Sequence, residues 1–190
     1  MARPATDKKQ RLIEAAIERF HSMGYARTSL ADVATAAGIP KGNVFYYFKT
    51  KEELVRAVVD QWCRLMEGYL SVLEPLPDAR RRIEGFLDQS NAMSKIYATL
   101  GCPIAGLARD LKQEGGELSQ EAGRIYAVQF EWLKKQFIDV GLKPKKATEL
   151  AQFLFSGYHG AILLSHAQSD PNWIANEVNA LKNWIKEIVD

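Results

Sequence analysis

The chain has 190 residues, of which 47% are hydrophobic and 25% charged, and a formal net charge of +2. That length allows one domain or two small ones with an ample core, and so small a net charge does not by itself point to nucleic acid. No run of 18 apolar residues suggests a membrane span, no apolar stretch follows the start to suggest a secretory signal, and two cysteines 39 positions apart make no disulfide framework, which suits a reducing compartment.

Charge is distributed unevenly. Residues 1–56 hold ten Lys/Arg against six Asp/Glu, a net +4, which leaves −2 for residues 57–190. The positive field is therefore concentrated at the N-terminal end. Arg3, Lys8, Lys9 and Arg11 form a basic start that either reaches toward a neighbouring groove or simply frays in solvent.

The stretch TSLADVATAAGIPKGNVFYYFKTK, residues 28–51, reads as two short helices joined by a glycine turn. Ser29 and Asp32 fit an N-terminal capping signature, and Leu30, Val33, Ala34 and Ala37 then share one helical face. Gly38 supplies the positive φ that ends such a helix, and Pro40 is tolerated at the first position of the next. In that second helix Val44 and Phe48, with Phe45, pack inward, while Asn43, Tyr46 and Tyr47 share another face. An asparagine can pair bidentately with adenine, and tyrosine hydroxyls and backbone amides can hold phosphates. Gly42 lets a phosphate approach the helix start, and Lys41 and Lys51 stand near the two ends. Thr50 and Glu53 form a second capping box, which opens a fourth helix. The bland alternative is an ordinary helical hairpin, but solvated faces are normally rich in Lys and Glu rather than tyrosine.

Residues 9–56 resemble the N-terminal domain of tetracycline-repressor (TetR) family transcriptional regulators. The likeness rests on Ile13–Ala16 and Phe20, Gly24-Tyr25 before Thr28-Ser29, Ile39-Pro40-Lys41-Gly42, Phe45-Tyr46-Tyr47-Phe48 and Lys51-Glu52-Glu53-Leu54. Pro40 stands where the family often has serine, Phe45 where tyrosine is common, and Tyr47 where histidine is common. The resemblance implies a cytoplasmic, all-α homodimer that binds DNA through Thr28, Ser29, Lys41, Gly42, Asn43, Tyr46, Tyr47 and Lys51. It also implies a C-terminal domain that takes a small ligand and releases DNA.

The remainder reads as helical throughout, about nine helices in all, with a headpiece over residues 1–50 and a ligand-binding and dimerisation domain over 51–190. The fourth helix runs from Lys51 to about Leu73, where Glu74-Pro75-Leu76-Pro77 breaks it. Asp78 caps a fifth that reaches about Thr99, and Gly101-Cys102-Pro103 interrupts before a short sixth. Gly115-Gly116 ends that one, a seventh spans about Glu117 to Val140, an eighth runs from Lys143-Pro144 to about Gln168, and Asp170-Pro171 opens the last.

Within these helices a ligand region is expected but loosely specified. Trp62, Met66 and Tyr69 line one side of the fourth helix, and Phe86, Ser90, Met93 and Tyr97 one side of the fifth. Tyr126, Gln129 and Phe130 follow on the seventh, with Phe155 and His159 on the eighth. Apolar walls with a few polar groups suit a small, largely hydrophobic effector, although such stripes are also ordinary core. Cys102, before Pro103, is either an activated thiol at a helix start or a small apolar residue at a junction.

A dimer contact is expected in the last two helices, where the family places it. Phe153, Gly157, Gly160, Ala161 and Leu164 mark the eighth helix, and Ile174, Val178, Leu181, Trp184 and Ile185 the ninth. Either stripe can instead pack on its own bundle. His21, His159 and His166 are too few and too scattered for a metal site, and no cofactor motif or nucleophile–base constellation is present. A ligand-sensing helical protein that never touches DNA is the principal rival reading, and a helical enzyme a more distant one.

Overall fold

Leu12, Ile13, Ala16 and Phe20 recur three and four apart, so a helix puts them on one face, and all four are buried there. The structure is a computed structural model that describes Ala5 to Val189. Every regular element among the described residues is helical: α1 (Ala5–Met23), α2 (Leu30–Ala36), α3 (Lys41–Tyr47), α4 (Lys51–Leu73), α5 (Ala79–Ala92), α6 (Ser94–Leu100), α7 (Pro103–Glu114), α8 (Leu118–Glu121), α9 (Arg124–Asp139), α10 (Pro144–Gln168) and α11 (Asn172–Val189).

The all-α expectation holds, with two breaks that the periodicity did not announce. The fifth helix is divided at Met93, which takes φ −98° and ψ 3° and turns its N–H back onto the Gln89 and Asn91 carbonyls. Ser90 and Asn91 precede the break, residue types that draw hydrogen bonds away from the helix, and the Ser90 hydroxyl donates to the Leu87 carbonyl at 3.0 Å. The seventh is divided at Ala122-Gly123, between α8 and α9. Gly115 (φ +74°) and Gly116 (φ +54°) end α7 as expected, and Ser169 closes α10 in the left-handed region at φ 52°.

The chain forms two compact units. One comprises the chain up to Leu65 together with Pro103–Ile125, and the other Met66–Cys102 together with Tyr126 onward. Residue 50, near which the sequence suggests a boundary, lies inside the first unit, to which α7 and α8 also belong. Helix α4 contributes residues to both units.

In the first unit Leu12, Ala16 and Phe20 of α1 are buried with Val33 and Ala34 of α2, Val44 of α3 and Leu54, Val55 and Val58 of α4. In the second, Phe86, Leu133, Phe137, Leu154 and Tyr158 form one core with Ile174, Val178, Leu181 and Ile185 of α11. Full burial of each Val, Leu, Ile or Phe side chain among these stabilises the fold by roughly 1.5–3 kcal/mol. No helix among the described residues is long and apolar enough to cross a membrane.

Candidate nucleic-acid interface

The α2–α3 pair is held by local chemistry that is easy to trace. Ser29 caps α2: its hydroxyl accepts the Asp32 N–H at 3.2 Å while the Asp32 carboxylate accepts the Ser29 N–H at 2.9 Å. The Ser29 hydroxyl also donates to the Asp32 carboxylate at 2.6 Å, and that bond first, with the Ser29 N–H second, holds the carboxyl below the usual carboxylate range. Gly38 turns the chain at φ +63°, and the Arg11 guanidinium donates to the Ala37 carbonyl at the end of α2. Pro40 is the N-cap of α3, one position earlier than the sequence suggests. Thr50 accepts the Glu53 N–H at 3.2 Å to open α4, as expected from its capping box.

On α3 only Val44 points fully inward, joined by Phe48 just past its end. Lys41, Gly42, Asn43 and Tyr46 are exposed, Tyr46 to 77%, and Tyr47 is half-buried with its ring edge-on to Tyr46 at 5.0 Å. Phe45 departs from expectation. It is 52% exposed and lines a shallow groove with Arg27, Ser29 and Leu30, so the helix offers more of its circumference than two tyrosines and an amide. The Lys49 ammonium donates to the Phe45 carbonyl at 2.7 Å, satisfying the C-terminal end of the short helix.

Two of the expected contact residues are otherwise engaged. Thr28 is 1% exposed, and its hydroxyl donates to the Gly24 carbonyl at 2.9 Å, so it builds the turn and offers no surface. The Lys51 ammonium donates to the Tyr25 carbonyl at 3.1 Å and lies 4.0 Å over the Tyr25 ring, where it braces α4 against the turn after α1. Of the basic start, Lys9 sits 5.7 Å over the Phe48 ring and Arg11 caps α2, so these cations brace the headpiece; Arg3 lies outside the described residues.

Sequence reasoning missed the bracket on the far side of the headpiece. The Tyr25 N–H donates to the Asp110 carboxylate of α7 at 2.8 Å, and Asp110 also fills the space beside Gly24, whose φ is +82°. Arg56 pairs with Glu117 at 2.7 Å, and Arg124 bridges Asp60 at 2.7 Å and Glu121 at 2.6 Å. An aspartate 85 positions from its backbone partner leaves no mark in spacing, and beside Arg109 it reads as a solvated pair. Asp110→Ala is expected to cost about 1–3 kcal/mol in denaturant unfolding, the cost of an orphaned, part-buried N–H, while Asp110→Asn keeps an acceptor and loses less.

In the second unit, many of the expected ligand-region residues do converge. Met66, Phe86, Ser90 and Gln129 are buried, and Tyr69, Tyr97, Cys102, Phe130 and Phe155 pack against the same core. Tyr126, Phe155 and Tyr158 surround the His159 ring edge-on at 5.0, 4.3 and 5.0 Å. Burial pushes Tyr69 and Tyr97 up to about 12, helped by Asp88 at Tyr69 and by Cys102 at Tyr97. Burial likewise raises Tyr126 and Tyr158 and depresses His159 to about 4. Trp62 belongs to the first unit and does not join this cluster, and Met93 is exposed at the α5–α6 break, where the interrupted helix turns it outward. Cys63 is buried.

The expected dimer residues separate into two groups. Ile174, Val178, Leu181 and Ile185 are at most 2% exposed and Ala161 is 6% exposed, so their side chains fill the unit's own core and present no surface. Trp184 is half-buried, 4.7 Å from the Phe153 ring. Gly157 faces the unit's own α11, with the end of the Glu177 side chain lying against it. What remains outward on α10 is Phe153, Gly160, Leu163 and Leu164, and a Cβ on Gly160 would meet nothing within 4 Å.

Comparison with known proteins agrees with this geometry. Residues 12–58 match the family model of bacterial regulatory proteins of the tetR family, and residues 81–176, half of the chain, match the C-terminal domain of LmrA/YxaF-like transcriptional regulators. The chain is 26% identical over 191 residues to an uncharacterized HTH-type transcriptional regulator in the lacX 3′ region of Lactococcus lactis subsp. lactis, covering 95% of this chain and 94% of that one. It is 24% identical over 162 residues to the HTH-type transcriptional regulator LmrA of Bacillus subtilis, covering 84% and 86%. Its fold matches a TetR transcriptional regulator from Legionella pneumophila at a TM-score of 0.80 and 23% identity over the whole of both chains. A short three-helix headpiece with an outward α3, followed by an LmrA-like helical domain, is the arrangement of a regulator and not of an enzyme: the chain belongs to the TetR family of helix-turn-helix transcriptional regulators.

Proposed function

We propose that the protein is a repressor that binds a palindromic operator as a homodimer in the cytoplasm and leaves it when a small effector occupies the second unit. The observation that carries the DNA half of this reading is the outward face of α3: Asn43 and Tyr46 exposed beside Lys41 and Gly42, on a helix anchored from behind by Val44 and Phe48. A two-fold dimer would present two such helices to half-sites about 34–36 Å apart. The surface we assign to that dimer is the open side of α10, Phe153, Gly160, Leu163 and Leu164, with the exposed Trp173 at the start of α11.

Two routes can carry effector occupancy to the headpiece. Helix α4 contributes residues to both units, and α7, which holds Asp110 against the turn after α1, begins directly after Cys102. A differential preference of about 1–3 kcal/mol between two states is sufficient to release DNA at ordinary operator affinities.

Selection of bound genomic fragments followed by salt-dependent mobility shifts tests the reading. Asn43→Ala is expected to relax preference at one base position and to cost about 1–3 kcal/mol in operator affinity. Fragments that bind without sequence preference, or not at all, favour the rival of a ligand sensor with a silent headpiece.

A further inference from the structure

The groove that Phe45 shares with the turn between α1 and α2 encloses about 490 Å³ and has no carboxylate in its wall. Arg27 and Lys51 make it positive, and Leu30 and the 52%-exposed Phe45 ring give it an apolar side. All of these residues belong to the first unit. Phe45 sits on the same short helix as the exposed Asn43 and Tyr46, so a duplex lying on α3 would run its edge along this groove. A positive, partly apolar channel complements a sugar–phosphate backbone, whose phosphates attract cations and whose sugars tolerate apolar cover.

Most of the polar side chains in the groove are already committed to the protein. The buried Thr28 hydroxyl donates to the Gly24 carbonyl, and the Ser29 hydroxyl donates to the Asp32 carboxylate at 2.6 Å. The Lys51 ammonium is directed at the carbonyl and ring of Tyr25. Phe45 and Leu30 have no side-chain donor. Arg27 differs. Its Nε donates to the Met23 carbonyl at 2.7 Å, which fixes the base of the exposed guanidinium and leaves both terminal amino groups without a protein partner among the described residues. Arg56, Arg109 and Arg124 of the same unit pair with carboxylates at 2.7, 3.2 and 2.6 Å. Arg27 makes no such pair, although it also borders a hollow lined by Asp110 and Glu114. A guanidinium fork held at its base and lacking an internal anion is suited to bidentate capture of a phosphate.

We propose that Arg27 is the phosphate contact of this groove, its terminal amino groups holding one DNA phosphate while the Phe45 ring covers the adjoining deoxyribose. This rests on reading α3 as the DNA-binding helix and adds a contact that lies outside the helix-turn-helix pair itself.

The test takes the duplex fragment that the parent protein binds most tightly and measures affinity between about 50 and 200 mM salt. Arg27→Gln removes the charge but keeps an amide that can reach the Met23 carbonyl. It is expected to lower the slope of log affinity against log salt by about 1 per protomer, so by about 2 for a dimer. Arg27→Lys, which keeps the charge, should retain the slope. Arg81→Gln, which removes one exposed charge from the second unit, should leave it unchanged. Neutral methylphosphonates placed one at a time in the fragment then identify the partner. At one position in each half-site the replacement should weaken the parent about tenfold and Arg27→Gln hardly at all. Phe45→Ala should weaken binding at every salt concentration without altering the slope. An unchanged slope in Arg27→Gln, an equal fall in Arg81→Gln, or no phosphate whose neutralisation is silent in Arg27→Gln overturns the proposal, and undiminished binding by Phe45→Ala overturns its sugar contact. A parent that binds a fragment but gives those results keeps its DNA reading and loses only this contact, whereas a parent that binds no fragment loses both.

Discussion

Gly160→Arg is expected to turn the protein into a monomer in sedimentation analysis and to weaken operator binding by about 10²–10⁴-fold, the range lost when two linked binding events become independent. The monomer fold should survive the change. A Cβ at Gly160 meets nothing within 4 Å, and replacing a mid-helix glycine removes a backbone entropy cost of about 1 kcal/mol. An arginine there would place a charge in the middle of Phe153, Leu163 and Leu164, which are 57%, 66% and 41% exposed in the single chain. Gly157→Ala is the matched control, three positions away on the same helix. Its Cβ meets only the end of the Glu177 side chain, which can turn aside, so it should leave the oligomeric state unchanged and unfolding stability near or slightly above the parent's. A Gly160→Arg protein that remains dimeric and binds its operator normally would move the interface off α10.

That contrast also marks where the amino-acid sequence was readable and where it was not. Periodicity identified the apolar stripe Ile174, Val178, Leu181 and Ile185 but could not say which partner it faces, because a stripe bound for its own core and one bound for a second copy have the same spacing. Gly157 and Gly160 looked alike for the same reason, and only Glu177 of the next helix tells them apart. The helix-turn-helix was legible nearly to the residue, since Ser29, Asp32, Gly38, Thr50 and Glu53 act on backbone within a few positions of themselves. The bonds that Thr28 and Lys51 make, to the carbonyls of Gly24 and Tyr25, were not legible because they belong to a turn whose geometry no local pattern encodes. The Asp110 bracket and the incorporation of α7 and α8 into the headpiece unit were invisible for a stronger version of the same reason, a partner 85 positions away. Phe45 reads as inward on hydrophobicity alone, but successive positions on a helix turn by about 100°, so it leaves the face on which Val44 is buried.

His159 should make the protein's stability depend on pH in a way that its replacement removes. Burial lowers its pKa from 6.5 to about 4 in the folded chain. The sign follows from proton uptake: between those values the unfolded chain binds a proton that the folded one refuses, so the stabilisation is fully present above about pH 6.5 and is lost as pH falls toward 4. The interval corresponds to roughly 3 kcal/mol. The measurement is the unfolding free energy of the parent minus that of His159→Gln at several pH values from 7.5 to about 4, in urea. Every other group is common to both proteins and cancels in the difference, and Tyr126 and Tyr158, raised by burial, stay protonated throughout. The difference should fall steadily with acid by that amount. A flat difference would mean that solvent reaches the imidazole of the folded chain and that the ring is not buried as its neighbours imply.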